Sequence, residues 1–151
     1  WSGGLDYSLD VLVDTIKHCD EYNCNSIIWT GGEPALQLRS ELLAALPEYK
    51  HCVETNGTKK LPEEVDWISC SPKSAEHTLR CGDVDELRYV INDGMALPKP
   101  ILKARHYFLS PAFEPDETIT RAAFNWTNKL CKENPQWRMS LQTHKLLVKQ
   151  R

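Results

Sequence analysis

Short apolar runs, each ended at once by a polar or glycine-bearing turn, recur along this chain and restrict it to a narrow set of folds. Ser26-Ile27-Ile28-Trp29 runs into Thr30-Gly31-Gly32-Glu33-Pro34, and His51-Cys52-Val53-Glu54 into Thr55-Asn56-Gly57-Thr58. Trp67-Ile68-Ser69-Cys70 is closed by Ser71-Pro72-Lys73, Leu87 to Ile91 by Asn92-Asp93-Gly94, and His106 to Leu109 by Ser110-Pro111. Runs of this length with turn signals behind them read as buried strands, and Trp137 to Gln142 reads as a last one. Between them lie helical patterns. Leu9, Leu12, Val13, Ile16 and Cys19 mark a helix over 8–22 with Ser8 as N-cap and Asn23 and Asn25 after it. A second helix is expected over about 36–46, stopped by Pro47, and a third over 116–133 before Asn134-Pro135. Strand–turn–helix units in series predict an α/β fold with a mostly parallel sheet and right-handed crossovers. The middle units have little room for helices, so the expected architecture is an incomplete, partly open (β/α) barrel, a single domain over 1–151.

Composition narrows the function classes. The 151 residues suit one domain with a real core but not two, and 26% charged with 41% apolar residues is ordinary globular composition. A net charge of −3 gives no basic footprint for nucleic acid. No apolar run approaches the roughly 20 residues of a membrane span. The opening Trp1-Ser2-Gly3-Gly4, without initiator Met or signal-peptide pattern, reads as the interior of a longer protein. Cys19, Cys24, Cys52, Cys70, Cys81 and Cys131 are irregularly spaced. A disulfide framework suits a secreted mini-domain better than a chain of this size, so reduced thiols in a cytoplasmic protein are expected. Cys52 and Cys70 fall inside strand runs, where cysteine acts as a small buried hydrophobe. The Cys19–Cys24 pair is a weak metal signal.

The turns Thr30–Glu33, Glu54–Gly57, Ser71–Lys73 and Ser110-Pro111 all follow the C-terminal ends of strands, the rim where ligands bind in parallel α/β folds. Any one of them alone is an ordinary solvated turn; several on one rim point to a site. Gly31 and Gly32 let the backbone approach a ligand closely, and Glu33 beside them suits an ammonium. Together they fit an amino-acid-like group such as the methionyl end of S-adenosylmethionine. Phosphate is disfavoured, because Glu33 repels it and no P-loop lysine follows.

The segment WTGGEPALQL resembles the Gly-Gly-Glu-Pro motif of radical S-adenosylmethionine enzymes. With VETNGT, WISCSPK, DELRYVI and WRMSLQTHKLL, in that order and covering nearly the whole chain, it is similar to the 7-carboxy-7-deazaguanine synthase family. The resemblance implies a partial barrel of the radical S-adenosylmethionine type. It also implies conversion of 6-carboxy-5,6,7,8-tetrahydropterin to 7-carboxy-7-deazaguanine, with loss of ammonia, on the route to queuosine. In the family a 4Fe-4S cluster cleaves S-adenosylmethionine to a 5′-deoxyadenosyl radical, magnesium assists, and a flavodoxin or ferredoxin donates the electron; a homodimer is implied too. Carried onto this chain, Thr30 contacts the pterin, and Gly31, Gly32 and Glu33 contact S-adenosylmethionine. Ser71, Pro72 and Lys73 line the cofactor's far side, and Ser110, Pro111, Ala112 and Phe113 flank it. Ser110 stands where many relatives are expected to carry glutamine. Glu54 is the carboxylate expected nearest the reacting centre, for proton transfer; the alternative is a rim carboxylate tied to backbone amides. For His144 and Lys145 a solvated pair and a grip on the substrate carboxylate are equally open.

The family's C-x3-C-x2-C cluster loop does not occur in these 151 residues, and Cys19 and Cys24 do not replace it. The resemblance therefore implies a chain lacking the first barrel strand and its cluster loop, inactive alone, with Ser26–Trp29 left as an unpaired edge prone to self-association. Alternatives are a non-catalytic α/β binding domain and another radical S-adenosylmethionine enzyme, such as an activating enzyme. A nucleotide-binding protein lacks its G-x-G-x-x-G or Walker turn.

Overall fold

In the computed structural model, which describes residues 6–143, the strands form one six-stranded sheet in chain order. They are β1 (Ser26–Trp29), β2 (Lys50–Thr55), β3 (Trp67–Cys70), β4 (Val84–Ile91), β5 (Ala104–Pro111) and β6 (Trp137–Met139). Every neighbouring pair is parallel. Strands laid down in sequence order without reversal are the arrangement of a barrel wall left open. β1 is an edge: its ladder partner among the described residues is β2, and Ile28 is 64% exposed.

Helix α1 (Leu9–Cys19) starts where expected, with the Val11 amide donating to Ser8 Oγ at 3.4 Å. Asp10 in the first turn and Lys17 and His18 in the last complement the helix dipole. It stops three residues earlier than its apolar pattern suggested. Asp20 turns the chain by accepting from the Cys24 amide (2.7 Å) and the Tyr49 hydroxyl (2.9 Å), and these bonds hold its carboxyl below the usual range. Leu12, Val13 and Ile16 are half-buried; no residue of α1 is fully buried.

The helix expected over 36–46 is broken. A single 3-10 turn, Pro34–Leu36, is followed by extended Arg39 and a short helix α2 (Ser40–Ala44). The reason is geometric. Leu38 and Leu43 both pack on Val53, yet a straight helix would set residues five apart about 140° away from each other. Breaking the helix lets both reach the core. The third helix, α3 (Glu117–Glu133), covers β5 and β6 and is capped by Asp116, which accepts from the Thr118 amide at 2.7 Å. As expected, the middle crossovers hold little helix, with only the 3-10 turn Glu76–Thr78 between β3 and β4.

β4 and β5 extend beyond their apolar runs. Asp85 is half-buried, accepts from the Ile68 amide (2.9 Å) and pairs with Arg105 at 3.1 Å, so these polar residues are held in strand by their neighbours. β6 is shorter than expected. Past Met139, Ser140 bonds instead to β5, its amide to Leu109 O (2.8 Å) and its carbonyl to Ser110 Oγ (3.0 Å).

The two faces of the sheet differ in kind. One side holds most of the core: Ile91, Leu109, Leu130 and Trp137; Leu38, Leu43 and Val53; Cys70 and Leu87. Buried His51 belongs to this layer. Its Nδ1 accepts from Trp29 Nε1 (3.2 Å), so the proton sits on Nε2, which donates to Leu43 O (3.2 Å). Because strand side chains alternate, the intervening positions make the other face. Glu54, Ser69 and Glu86 stand opposite one another along the ladder, and Arg88 lies two residues beyond Glu86. No helix among the described residues is long and apolar enough to cross a membrane.

Candidate functional site

The C-terminal ends of β1 to β5 carry the polar turns, and with the polar face they enclose a cleft of about 390 Å³, within the range of small-molecule sites. Thr30, Gly31, Gly32, Glu54, Ser71, Lys73 and Ser110, all singled out from the sequence, line it. So do Thr55 and Asn56, which belong to the rim turn read after β2, and Ser69, Arg88 and Gln142, which sequence reading passed over. Arg88 was legible in principle. In β4 the residues Glu86, Arg88 and Val90 alternate with Leu87, Tyr89 and Ile91, and such alternation sends the first set away from the core.

Gly31 and Gly32 have φ of +85° and +21°, conformations that side chains rarely adopt, and an added Cβ at either would meet nothing within 4 Å. The space in front of both is open, and a ligand can approach the bare backbone. On the far side of this turn a second cleft, about 690 Å³, is bounded by Glu33, Pro34, Leu36 and Gln37.

Glu33 is held by its own chain. Its Oε1 accepts from Thr55 Oγ1 (2.5 Å) and the Ala35 amide (3.2 Å), and its Oε2 from the Asn56 amide (2.7 Å). Three of roughly four acceptor positions are therefore taken, and Glu33 works chiefly as a clamp between the glycine turn and the end of β2. Glu33→Ala would leave Thr55 and Asn56 without these bonds and is expected to lower stability by about 1–3 kcal/mol. Urea denaturation measures it; an unchanged midpoint would mean that the carboxylate serves a ligand alone.

Glu54 differs. It is exposed in the cleft and accepts one hydrogen bond, from Thr30 Oγ1 at 3.2 Å. Among the described residues no backbone amide holds it. Arg88 bonds Glu86 Oε2 through Nη2 at 3.3 Å, Ser69 Oγ donates to the same oxygen at 3.2 Å, and the buried Arg88 Nε has no partner among the described residues. Lys73 is exposed, with Nζ 3.5 Å from Ser71 Oγ. Arg88 and Lys73 thus bring two cations to the cleft, and a bound carboxylate would be complementary to them.

Pro72, Pro111, Ala112 and Phe113 are not among the residues that line the cleft. Pro72 is half-buried beside it. Pro111 and Ala112 are buried, the Ala112 amide donating to Ile91 O (2.9 Å), and Phe113 is half-buried. Ser110 lines the cleft but spends its hydroxyl on Ser140 O. His144 and Lys145 lie outside the described residues.

The open glycine turn, the hydroxyls and the cations fit S-adenosylmethionine. A 4Fe-4S cluster does not fit this chain. Cys19 and Cys24 are exposed near α1, Cys131 is on α3, Cys52 and Cys70 fall on opposite faces of the sheet, and Cys81 meets Cys70 alone, two thiols where a cluster needs three or four. Among the described residues no three His, Cys, Asp or Glu side chains come together as a metal site.

No family model matches the chain. Among curated proteins it is 40% identical to a 7-carboxy-7-deazaguanine synthase of Burkholderia multivorans, over 97% of this chain and 70% of that protein. It is 35% identical to one of Bacteroides thetaiotaomicron, over 89% of this chain and 70% of the relative. The crystal structure of QueE from Escherichia coli shares the fold, with a TM-score of 0.63 at 20% identity, over 90% of this chain and 64% of that one.

Proposed function

The chain belongs to the 7-carboxy-7-deazaguanine synthase family, and from that premise we propose that its cleft binds S-adenosylmethionine beside a pterin substrate. The activity of the whole enzyme is then conversion of 6-carboxy-5,6,7,8-tetrahydropterin to 7-carboxy-7-deazaguanine. The observation that carries this reading is the cleft itself. A bare glycine turn faces Ser71 and Lys73 across the rim, with Glu54 and Arg88 on its polar face.

In this reading Gly31 and Gly32 offer backbone groups to the aminoacyl end of the cofactor, and Lys73 its ammonium to the carboxylate. Thr30 fixes the Oε2 atom of Glu54. The other carboxylate oxygen, Oε1, is left to take a proton from the pterin. Arg88, anchored on Glu86, fits a substrate carboxylate. When bound, S-adenosylmethionine supplies the radical chemistry of the family. The cluster and magnesium are proposed for the whole enzyme and are assigned to no residue of this chain; an external flavodoxin or ferredoxin, a homodimer and a cytoplasmic setting complete the proposal.

Isothermal titration calorimetry with S-adenosylmethionine tests the cofactor half. Saturable binding is expected, weakened about tenfold or more by Lys73→Ala, the order of one lost charge-assisted bond. Equal affinity in the variant would remove Lys73 from the site.

A further inference from the structure

Beneath the rim two cysteines meet. Cys70 is the last residue of β3 and fully buried; Cys81 is half-buried in the loop that enters β4. Their Sγ atoms are 3.9 Å apart, with no disulfide between them. The meeting is built by the backbone. Gly57 O accepts from the Arg80 amide (2.7 Å) and the Cys81 amide (3.2 Å), and Thr55 O accepts from the Ser71 amide (2.8 Å). The turn after β2 thus holds the cysteine-bearing segments from below. Gly57 leaves the room they use: a Cβ there would stand 2.7 Å from Cys70 Sγ and 3.2 Å from Cys81 Sγ.

We propose that Cys70 and Cys81 form a reversible disulfide, with Cys81 as the attacking thiol and Cys70 as the resolving one. A disulfide needs the sulfurs at about 2.05 Å, so the pair must close by roughly 2 Å, within reach of side-chain rotation and small loop movement. The asymmetry of the pair sets the order of events. The hydrogen bond shared by the two sulfurs lowers the pKa of Cys81 and, with burial, raises that of Cys70. The more acidic thiol is also the more exposed one, and the thiolate is the reactive form.

The oxidant is a low-molecular-weight disulfide. Cys81 thiolate attacks one of its sulfurs, breaking that S–S bond, forming a mixed disulfide and releasing one small thiolate. Cys70, losing its proton to solvent, attacks the Cys81 sulfur and expels the second. Two protein thiols are oxidised, one small disulfide is reduced to two thiols, and an external thiol reverses the change. Because Ser71 follows Cys70 directly, the bond would tie the cleft rim to the loop before β4.

The test is oxidised glutathione on the reduced chain, followed by N-ethylmaleimide, non-reducing trypsin digestion and mass spectrometry. The expected product is peptide 61–73 joined to peptide 81–88 with the loss of two hydrogens, cleaved again by dithiothreitol. Cys81→Ser should abolish the link. Cys70→Ala should instead trap glutathione on Cys81, which keeps the test valid if either variant folds poorly. Exposed Cys19 and Cys24 are internal controls for reagent activity. Glutathione on those two, with Cys70 and Cys81 still alkylated by maleimide, overturns the proposal. So does a stable glutathione adduct on Cys81 of the unsubstituted chain, or linkage of either residue to another cysteine.

Discussion

Glu54→Gln, placed in a chain that also carries the family's cluster segment, is expected to lower turnover by about 100- to 10,000-fold while S-adenosylmethionine binding stays near its unsubstituted level. The substitution keeps the size of the side chain and its ability to accept from Thr30 Oγ1, now 3.2 Å from the carboxylate. It removes the negative charge and the basic oxygen. In β2, Val53 and Thr55 are buried and Glu54 between them is exposed, so the strand's alternation presents this carboxylate to the cleft. An exposed position contributes little to packing, and the variant should therefore unfold at the same denaturant concentration as its parent. Single-turnover measurements beside calorimetry separate the outcomes. Near-normal turnover would reduce Glu54 to a partner of Thr30, and parallel losses of binding and turnover would make it a cofactor-positioning group.

Gly57→Ala should be among the most damaging single changes to the fold. At φ +80° an alanine carries about 1–2 kcal/mol of left-handed strain. Its Cβ would also sit 2.7 Å from Cys70 Sγ and 3.2 Å from both Cys81 Sγ and Leu79 Cδ2. Cys70 is 0% exposed and Leu79 7%, so neither can swing into solvent, and overpacking a closed site adds about 1–3 kcal/mol. A total of roughly 2–5 kcal/mol is a large share of the 5–15 kcal/mol typical of a domain. Gly31→Ala is the control, since its φ of +85° gives comparable strain with nothing within 4 Å of the added carbon. Equal denaturation midpoints for the two variants would show that backbone strain alone operates and that the space around the cysteines yields.

How far the sequence alone carried differs from element to element. The positions of β1, β2 and β3 were legible because an apolar run with a turn signal behind it is a pattern contained within a few residues. Ser8 as a helix start belongs to the same class, since a cap and the amide it binds are near neighbours in the chain. The break between Pro34–Leu36 and Ser40–Ala44 was not legible. Leu36 to Leu46 is compatible with one amphipathic helix, and only the position of Val53 decides that Leu38 and Leu43 must point the same way.

The candidate site divides along the same line. Thr30, Gly31, Gly32, Glu54, Ser71 and Lys73 could be gathered beforehand because a parallel sheet puts every strand's C-terminal end on one rim. The use made of Glu33 could not: its hydrogen bonds to Thr55 and Asn56 span more than twenty residues. The 3.9 Å approach of Cys70 and Cys81 depends equally on the path of the loop 71–80 and on the bare Cα of Gly57. The sequence by itself determined the alternation, the turns and the family, because periodicity and motif are written locally. Tertiary structure alone decided which polar atoms are spent on the fold and which remain for a ligand, because that depends on distant segments arriving at the same place.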